Sequence, residues 1–361
     1  MSPFLYQKVF TGAMMALSTV IALPRLASDN YKHQEQGSSL ILPVLLCAWF
    51  VLWIGLRPVS SAFGDTTNYA LEYARLDPYS VHVNWSSEWV WELLKNGCKA
   101  AGLSIHAFFT IIAAGYVVSA LCAVKSLMPD DPMLGTVFVL ASLMFFPFAT
   151  NGLRNGLACH LFLLAMAFML KDKWLPGILV SLMAFGIHRS VMLPIVALVT
   201  ALFLSRNVKK FIVFWLASIL ISLIAGGTFE SFFASLGFDD RMTQYTTLVS
   251  DEFSHEGFRW DFLLYSSLPV LMAWYVCIKQ QASDNWYDVI CTVYLLCNAF
   301  WIMVIRSAFS NRFAYLSWFL YPIVIAYPLV NLEIRYDQDR FTGLVLLAYS
   351  AFSMFMWFVF W

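Results

Sequence analysis

Long apolar runs separated by short polar turns dominate the pattern of this chain. A helix that crosses the hydrocarbon core of a bilayer needs roughly 17–25 mostly apolar residues. Runs of this kind predict spanning helices at residues 9–25, 40–56, 104–127, 133–149, 153–170, 209–226, 261–279, 287–305, 312–331 and 341–360. The pattern therefore predicts an all-α integral membrane fold, in which residues 1–361 form a single transmembrane domain of about 10–12 helices.

One apolar stretch, residues 174–204, is too long for a single straight span. A continuous helix of this length would measure roughly 46 Å, against a hydrocarbon core of about 30 Å. Basic residues flank both of its ends, at 171–173 and at 206–210. Because basic residues favour the cytoplasmic side, we expect two short helices that meet in a turn at residues 186–190 and return to that side.

Composition supports the membrane assignment. Hydrophobic residues make up 60% of the chain and charged residues 12%, whereas a soluble domain is typically about a quarter charged. The formal net charge is zero, so nothing points to nucleic acid as a partner. The cysteines are odd in number, at seven, and form no C-x-x-C pair. We interpret them as small apolar residues rather than as disulfides or zinc ligands.

Loop parity, counted from the turn at 186–190, places the unusual polar residues on one side of the membrane. The outer side receives two long loops, 57–103 and 227–260, and three tight turns, 150–156, 186–190 and 305–312. Within the first long loop, the spacing of Trp89, Leu93 and Leu94 predicts a short helix that lies in the membrane interface, with Ser86 or Ser87 as its N-cap. The segment 229–238 has the same amphipathic character.

Arginines occupy these outer loops and turns, although few basic residues are expected there. They are Arg57, Arg154, Arg189, Arg241, Arg306 and Arg312. Any one of them can extend to a lipid headgroup. As a set, they offer rigid forks of donors suited to bidentate binding of phosphate. The set therefore predicts a site for a lipid-linked phosphate or pyrophosphate.

Two further side chains bear on catalysis. His188, at the tip of the expected hairpin, can bond a phosphate oxygen or carry a proton, or it can simply bond a carbonyl of its turn. Asp65 can serve as a general base or as the N-cap of a short helix. No second histidine stands at metal-ligand spacing, so we expect no metal and no cofactor. We expect His160 to pack in the core, and Glu88, like the other acidic residues of the loops, to be solvated.

The order of these residues resembles a known family. The sequence shows R…GD…NY in the first outer loop, then N-G-x-R-N, I-H-R-S, D-R-x-x-x-Y and N-R-F. This series, across about residues 50–320, is similar to the EpsG-type branch of the Wzy polysaccharide polymerases. Matching positions are Arg57, Gly64, Asp65, Tyr69, Asn151, Arg154, Asn155, His188, Ser190, Arg241, Tyr245, Asn311 and Arg312. One departure is Arg154–Asn155, where the family often has Arg-Gln.

The resemblance implies an architecture and a reaction. The fold would be that of a GT-C-like glycosyltransferase in the bacterial inner membrane, with its active site facing the periplasm. The enzyme would transfer a growing glycan from undecaprenyl pyrophosphate to the non-reducing end of another lipid-linked repeat unit, without a metal. Implied partners are undecaprenyl-pyrophosphate-linked glycans, membrane lipids and a chain-length determinant of the Wzz type.

Roles for individual residues follow from that chemistry as expectations. Arg154, Arg189, Arg241 and Arg312, with His188, would stabilise the charge that grows on the pyrophosphate. Asp65 would deprotonate the acceptor hydroxyl. Tyr69 and Trp85 would stack on sugar rings or anchor the interface. The remaining substrate contacts would come from Arg57, Arg306, Asn151, Asn311 and Tyr245.

Three other functions share parts of this pattern. An O-antigen ligase uses similar lipid donors but transfers the glycan to a lipid A core. A polysaccharide flippase or transporter would carry charges at mid-membrane, whereas the helix interiors here are nearly free of charge. A membrane O-acyltransferase would carry a histidine near the first helix, and the chain has none before His33. Polymerase is the function that the pattern favours.

Overall fold

The computed structural model of the chain describes residues 2–28, 39–79, 83–235, 257–306 and 310–360. Helix accounts for 80% of the structure, and the described residues contain no strand. Eight of the helices in these ranges are long and apolar enough to cross a membrane, and three shorter apolar helices accompany them. The chain is a polytopic helical membrane protein, as the apolar pattern predicts.

Two compact units make up the structure, Met1–His188 with Leu329–Trp361, and Arg189–Pro328. The first unit contains α1 (Pro3–Leu26), α2 (Ile41–Gly55), α3 (Thr66–Arg75), α4 (Trp89–Ala100), α5 (Ile105–Leu127), α6 (Pro132–Leu140), α7 (Phe145–Thr150), α8 (Leu153–Leu170) and α9 (Trp174–Ile187). The second contains α10 (Met192–Val199), α11 (Val208–Ser235), α12 (Trp260–Ala273), α13 (Asn285–Met303) and α14 (Ser310–Trp318). After these, α15 (Tyr321–Asn331) crosses the division, and α16 (Gln338–Phe360) returns to the first unit.

The predicted break within the apolar stretch 174–204 is confirmed. Helix α9 ends at Ile187, a short 3-10 turn covers Arg189–Val191, and α10 continues into a π-helical turn at Thr200–Leu204. His188 stands in extended conformation between the two helices. The break therefore falls where the length of the apolar stretch requires it.

The span predicted at 133–149 is broken, whereas the span predicted at 312–331 is confirmed. The first is two helices, α6 and α7. The second runs through α14 and α15 as one candidate membrane span, with a short turn between the two helices. A proline lacks an N–H, so it fits best in the first turn of a helix, where that N–H is not needed. Pro147 in α7 and Pro322 in α15 take this position.

The boundary of the second long loop is also different from the prediction. Helix α11 does not end near residue 226 but continues to Ser235, with a kink at Ala225, where the backbone leaves helical geometry. The rest of that loop up to residue 256 lies outside the described residues.

Ion pairing connects three segments at one end of the first unit. Arg25, at the end of α1, donates to Asp131 at 2.5 Å and lies 3.7 Å from Asp339 on α16. Loop parity assigns all three segments to the same side, and these contacts agree with that grouping. The motif-bearing loops lie together at a different place in the unit, described next.

Candidate active site

A carboxylate, a guanidinium and an imidazole meet in the first unit. One oxygen of Glu88 accepts a hydrogen bond from Arg154, and its other oxygen contacts Nδ1 of His188. The three side chains are 17%, 22% and 16% exposed, respectively. They are open enough for a ligand to reach them, and buried enough that water screens their charges weakly.

Close packing of α4 against α9 brings Glu88 to His188. Glu88 is the residue directly before α4, and His188 is the residue directly after α9. Gly186 permits the approach, since a Cβ atom there would lie 2.4 Å from the side chain of Val90 and 2.9 Å from that of Trp89. The distance between Glu88 and His188 therefore depends on Gly186 in the last turn of α9.

Arg154 enters the cluster from the first turn of α8, which follows the N-cap residue Gly152. Its guanidinium also hydrogen-bonds the Tyr69 side chain. A guanidinium has five N–H donors, more than these two partners require. The N-terminus of α8 adds the positive end of a helix dipole, so this position favours an anion.

Glu88 is a stable anion in this setting. Burial by itself raises the pKa of this carboxyl, but the hydrogen bond and charge of His188, and then those of Arg154, outweigh burial and lower the pKa to about 2. A carboxylate with so low a pKa is a poor proton acceptor near neutral pH. Its role is therefore electrostatic rather than that of a base.

The loop that carries Asp65 is fastened to the N-G-x-R-N turn. The backbone N–H of Asp65 donates to Oδ1 of Asn151 at 2.8 Å. Gly64 has a φ of 59°, and a Cβ atom there would lie 2.4 Å from the Asn151 side chain. Both the backbone conformation and the close approach exclude a larger residue. Asn151 thus positions the loop and lies three residues before Arg154.

Asp65 stands at the N-cap position of α3, but its side chain makes no capping hydrogen bond. Instead, its Oδ1 accepts from the side chain of Asn68 at 3.1 Å. The carboxylate is half-buried. Asp65 therefore occupies the predicted N-cap position but does not make the predicted capping hydrogen bond. Its carboxylate is not used to cap α3.

Arg57 is fully buried and bonded to protein oxygens, so the prediction that it binds pyrophosphate is wrong. It donates to the hydroxyl of Thr66, at 3.2 Å from Nε, and to the carbonyls of Ile54 and Thr150 at 2.8 and 3.3 Å. It also lies 4.1 Å above the ring of Phe109. Burial lowers its pKa to about 9, which leaves the charge intact at neutral pH. Arg57 therefore has a structural role, in which it joins the end of α2 to Thr66 and Thr150.

Other predicted site residues belong to the second unit. Arg189 and Asn311 are half-buried. Arg306 donates to the Ser222 carbonyl at 2.6 Å and lies 5.6 Å from the ring of Phe258. Arg312, also half-buried, lies on α14. Arg241 and Tyr245 lie outside the described residues. The cluster around Glu88 is accordingly built from the first unit alone.

The structure also describes two aromatic residues for which the sequence made predictions, His160 and Trp85. His160 is buried against Tyr116, with ring centroids 4.1 Å apart, and against Phe145 at 5.4 Å. The prediction of a packed core histidine is confirmed. Trp85 is 71% exposed and stacks on Trp89 with centroids 5.6 Å apart. It is the more accessible of the two aromatics proposed to meet sugar.

Comparison with known proteins decides the family. The chain matches the EpsG family over residues 40–361. It belongs to the EpsG family. That membership confirms the resemblance drawn from the motifs, and it indicates a role as a glycosyltransferase-like polysaccharide polymerase. No curated protein and no solved structure matches the chain.

In this EpsG-family protein, sequence reasoning missed Glu88. The expectation that this residue is solvated is wrong, because it lies between Arg154 and His188. The expectation that Ser86 or Ser87 caps α4 is also wrong, since Glu88 occupies the N-cap position and both serines bond Asn84. The available signal was the flanking sequence W-S-S-E-W-V-W, because a carboxylate set among tryptophans has few solvated positions.

Proposed function

We propose that the protein polymerises undecaprenyl-pyrophosphate-linked oligosaccharide repeat units on the periplasmic face of the bacterial inner membrane. A growing glycan leaves one lipid pyrophosphate and is joined to the non-reducing sugar of a second lipid-linked unit. The observation that carries the proposal is the convergence of Arg154 and His188, from different helices, on one partly accessible cluster. The polymerase role of the family supplies the reaction class.

Arg154 and His188 stabilise the leaving group. As the glycosidic bond breaks, negative charge grows on the pyrophosphate, and fixed donors in a weakly screened site lower the energy of that state. Arg154 has donors beyond those used by Glu88 and Tyr69. His188 contacts Glu88 through Nδ1, which leaves Nε2 as the nitrogen to meet a phosphate oxygen.

Asp65 acts as the base for the acceptor. Its carboxylate removes the proton from the attacking hydroxyl, and direct attack inverts the anomeric carbon. The Asn151 hydrogen bond holds the backbone of Asp65 against the turn that leads to Arg154. The short segment from Asn151 to Arg154 thereby connects the base to the leaving-group site. The guanidinium charge stabilises the leaving pyrophosphate, as a divalent metal does in other transferases.

The remaining predicted contacts complete the proposal. That Arg189, Arg306, Arg312, Asn311, Arg241 and Tyr245 contact the lipid-linked substrates stays a prediction from the sequence. Trp85 offers an accessible ring face for a sugar. A Wzz-type protein sets the length of the product.

Gene deletion and complementation test this function. Loss of a polymerase leaves single repeat units on the acceptor, whereas loss of a ligase leaves none. The deletion strain is complemented with wild type, Arg154→Ala, His188→Ala or Asp65→Ala, after confirming expression, and surface glycan length is read on gels. The proposal expects single repeats from the deletion and from all three variants. Normal glycan length distributions from all three variants would contradict the assignment of these residues to the site.

A further inference from the structure

The Glu88 carboxylate occupies the position that an anionic ligand of Arg154 and His188 would take. It contacts the guanidinium and the imidazole at once, one through each oxygen. Any phosphate that binds the pair must therefore compete with an anion that is already part of the chain. This competition has a consequence for which lipids can occupy the site.

Resting on the proposed function, we infer that Glu88 determines specificity. Its carboxylate excludes singly charged phospholipid headgroups from the Arg154–His188 cluster and gives way to the more highly charged pyrophosphate of a polyprenyl donor. Specificity of this kind is achieved by a repulsive element against the wrong ligand. In a bilayer, the wrong ligand is abundant and the correct one is scarce.

Charge and tethering explain the discrimination. A phosphodiester headgroup carries one negative charge, equal to that of Glu88, but Glu88 is tethered beside the cluster and so acts at a high effective concentration. A pyrophosphate ester carries about two or three charges and more acceptor oxygens than a carboxylate, so its Coulomb attraction to the Arg154 guanidinium is greater and it can accept more hydrogen bonds from the cluster. The binding free energy of the headgroup is therefore too small to displace Glu88, whereas that of the pyrophosphate is large enough.

The position of Glu88 permits such displacement. It lies at the junction between the 83–87 segment and α4, with non-helical φ and ψ of −78° and 68° and no side-chain capping bond. Turning its carboxylate away breaks no capping interaction of α4. The neighbouring turn of α4 carries Glu92, which pairs with Lys95 at 3.3 Å and provides a matched control.

Ligand binding to the full chain in nanodiscs tests the inference. The probe is farnesyl pyrophosphate, and the discs contain phosphatidylcholine alone or with added phosphatidylglycerol. Added phosphatidylglycerol should weaken the binding of the probe to Glu88→Gln about tenfold more than its binding to Glu92→Gln. Because an anionic bilayer repels the probe equally in both variants, comparing the two variants cancels that general repulsion. In phosphatidylcholine alone, Glu88→Gln should bind the probe at least as tightly as wild type.

Equal sensitivity of the two variants to phosphatidylglycerol would overturn the inference. If Glu88→Gln does not fold, wild type supplies the test, with soluble dihexanoyl phosphatidylglycerol added to phosphatidylcholine discs. The inference expects this lipid to leave the bound probe in place, and displacement of the probe contradicts it. Failure of wild type to bind farnesyl pyrophosphate in phosphatidylcholine discs would instead contradict the proposed function, so the two failures are distinct.

Discussion

Oδ1 of Asn151 accepts a hydrogen bond from the backbone N–H of Asp65 at 2.8 Å, across 86 positions of the chain. One residue earlier, Gly64 passes so close to the same side chain that a Cβ atom would lie 2.4 Å from it. Through this contact, the loop that carries the proposed base is held to the turn that carries Arg154. The relation between base and leaving-group site therefore depends on a backbone contact.

Replacing Gly64 with alanine tests this dependence. Gly64→Ala combines a positive φ with a steric overlap on Asn151, so it should displace the Asp65 loop and reduce glycan elongation by at least about tenfold. The measurement is the elongation rate of purified variant in proteoliposomes.

Gly97→Ala is the matched control for that variant. Gly97 lies within α4, and a Cβ atom there meets nothing within 4 Å. This change should leave elongation intact and slightly favour the helix, by roughly 0.5–1 kcal/mol. Equal activity of the two alanine variants would contradict the positioning role of the Gly64–Asn151 contact.

Removing the buried charge of Arg57 should act on stability. Arg57→Gln removes the buried guanidinium that donates to the Thr66 hydroxyl and the Ile54 carbonyl, while the Thr150 carbonyl keeps its hydrogen bond from Thr66, at a cost of about 2–3 kcal/mol. Arg75→Gln, at an exposed position on α3, should change stability by less than about 0.5 kcal/mol. Denaturant unfolding in detergent measures both. An Arg57→Gln variant as stable as Arg75→Gln would contradict the structural role.

The Glu88 ion pairs predict a dependence of stability on pH. The folded-state pKa of Glu88 is lowered from 4.5 to about 2, so its contribution is fully present above 4.5 and is lost as pH falls toward 2. Wild type should therefore lose more stability than Glu88→Gln as pH falls through this window. Thermal unfolding of both proteins between pH 7 and pH 3 measures the difference. Parallel curves would show that Glu88 is not a stabilising anion.

The two histidines should differ in their response to substitution. His160 packs between aromatic rings in the core, so His160→Phe should retain most elongation activity. His188→Phe removes the nitrogen atoms that meet Glu88 and the proposed phosphate, and should reduce elongation by about a hundredfold or more. Elongation assays on equally expressed variants check both. Similar losses in both variants would count against the assignment of His188 to the site.

The sequence was a good guide where length and periodicity decide the structure. The break near His188 follows from an apolar stretch too long for one span, and the core position of His160 follows from its place within a helix. The break before Pro147 was missed, because hydropathy does not distinguish a broken helix from a continuous one. The family motifs identified Asp65, Arg154 and His188 as site candidates.

Burial and pairing of the polar side chains could not be predicted in the same way. Arg57 and Glu88 each occur in an outer loop of the sequence, yet Arg57 is buried under the site and Glu88 is at its centre. What separates these outcomes is tertiary: Arg57 lies between Thr66 and Phe109, and Glu88 depends on the packing of Gly186 against α4. Periodicity carries no information on such contacts between distant segments.

Release of lipid pyrophosphate during elongation tests the central claim most directly. Purified protein in proteoliposomes is supplied with lipid-linked repeat units, and new glycosidic linkages and released undecaprenyl pyrophosphate are counted together. The account predicts one lipid pyrophosphate for each linkage, with both quantities reduced by about a hundredfold or more in Arg154→Ala and in His188→Ala. Elongation without this release, or at the wild-type rate in both variants, would contradict it.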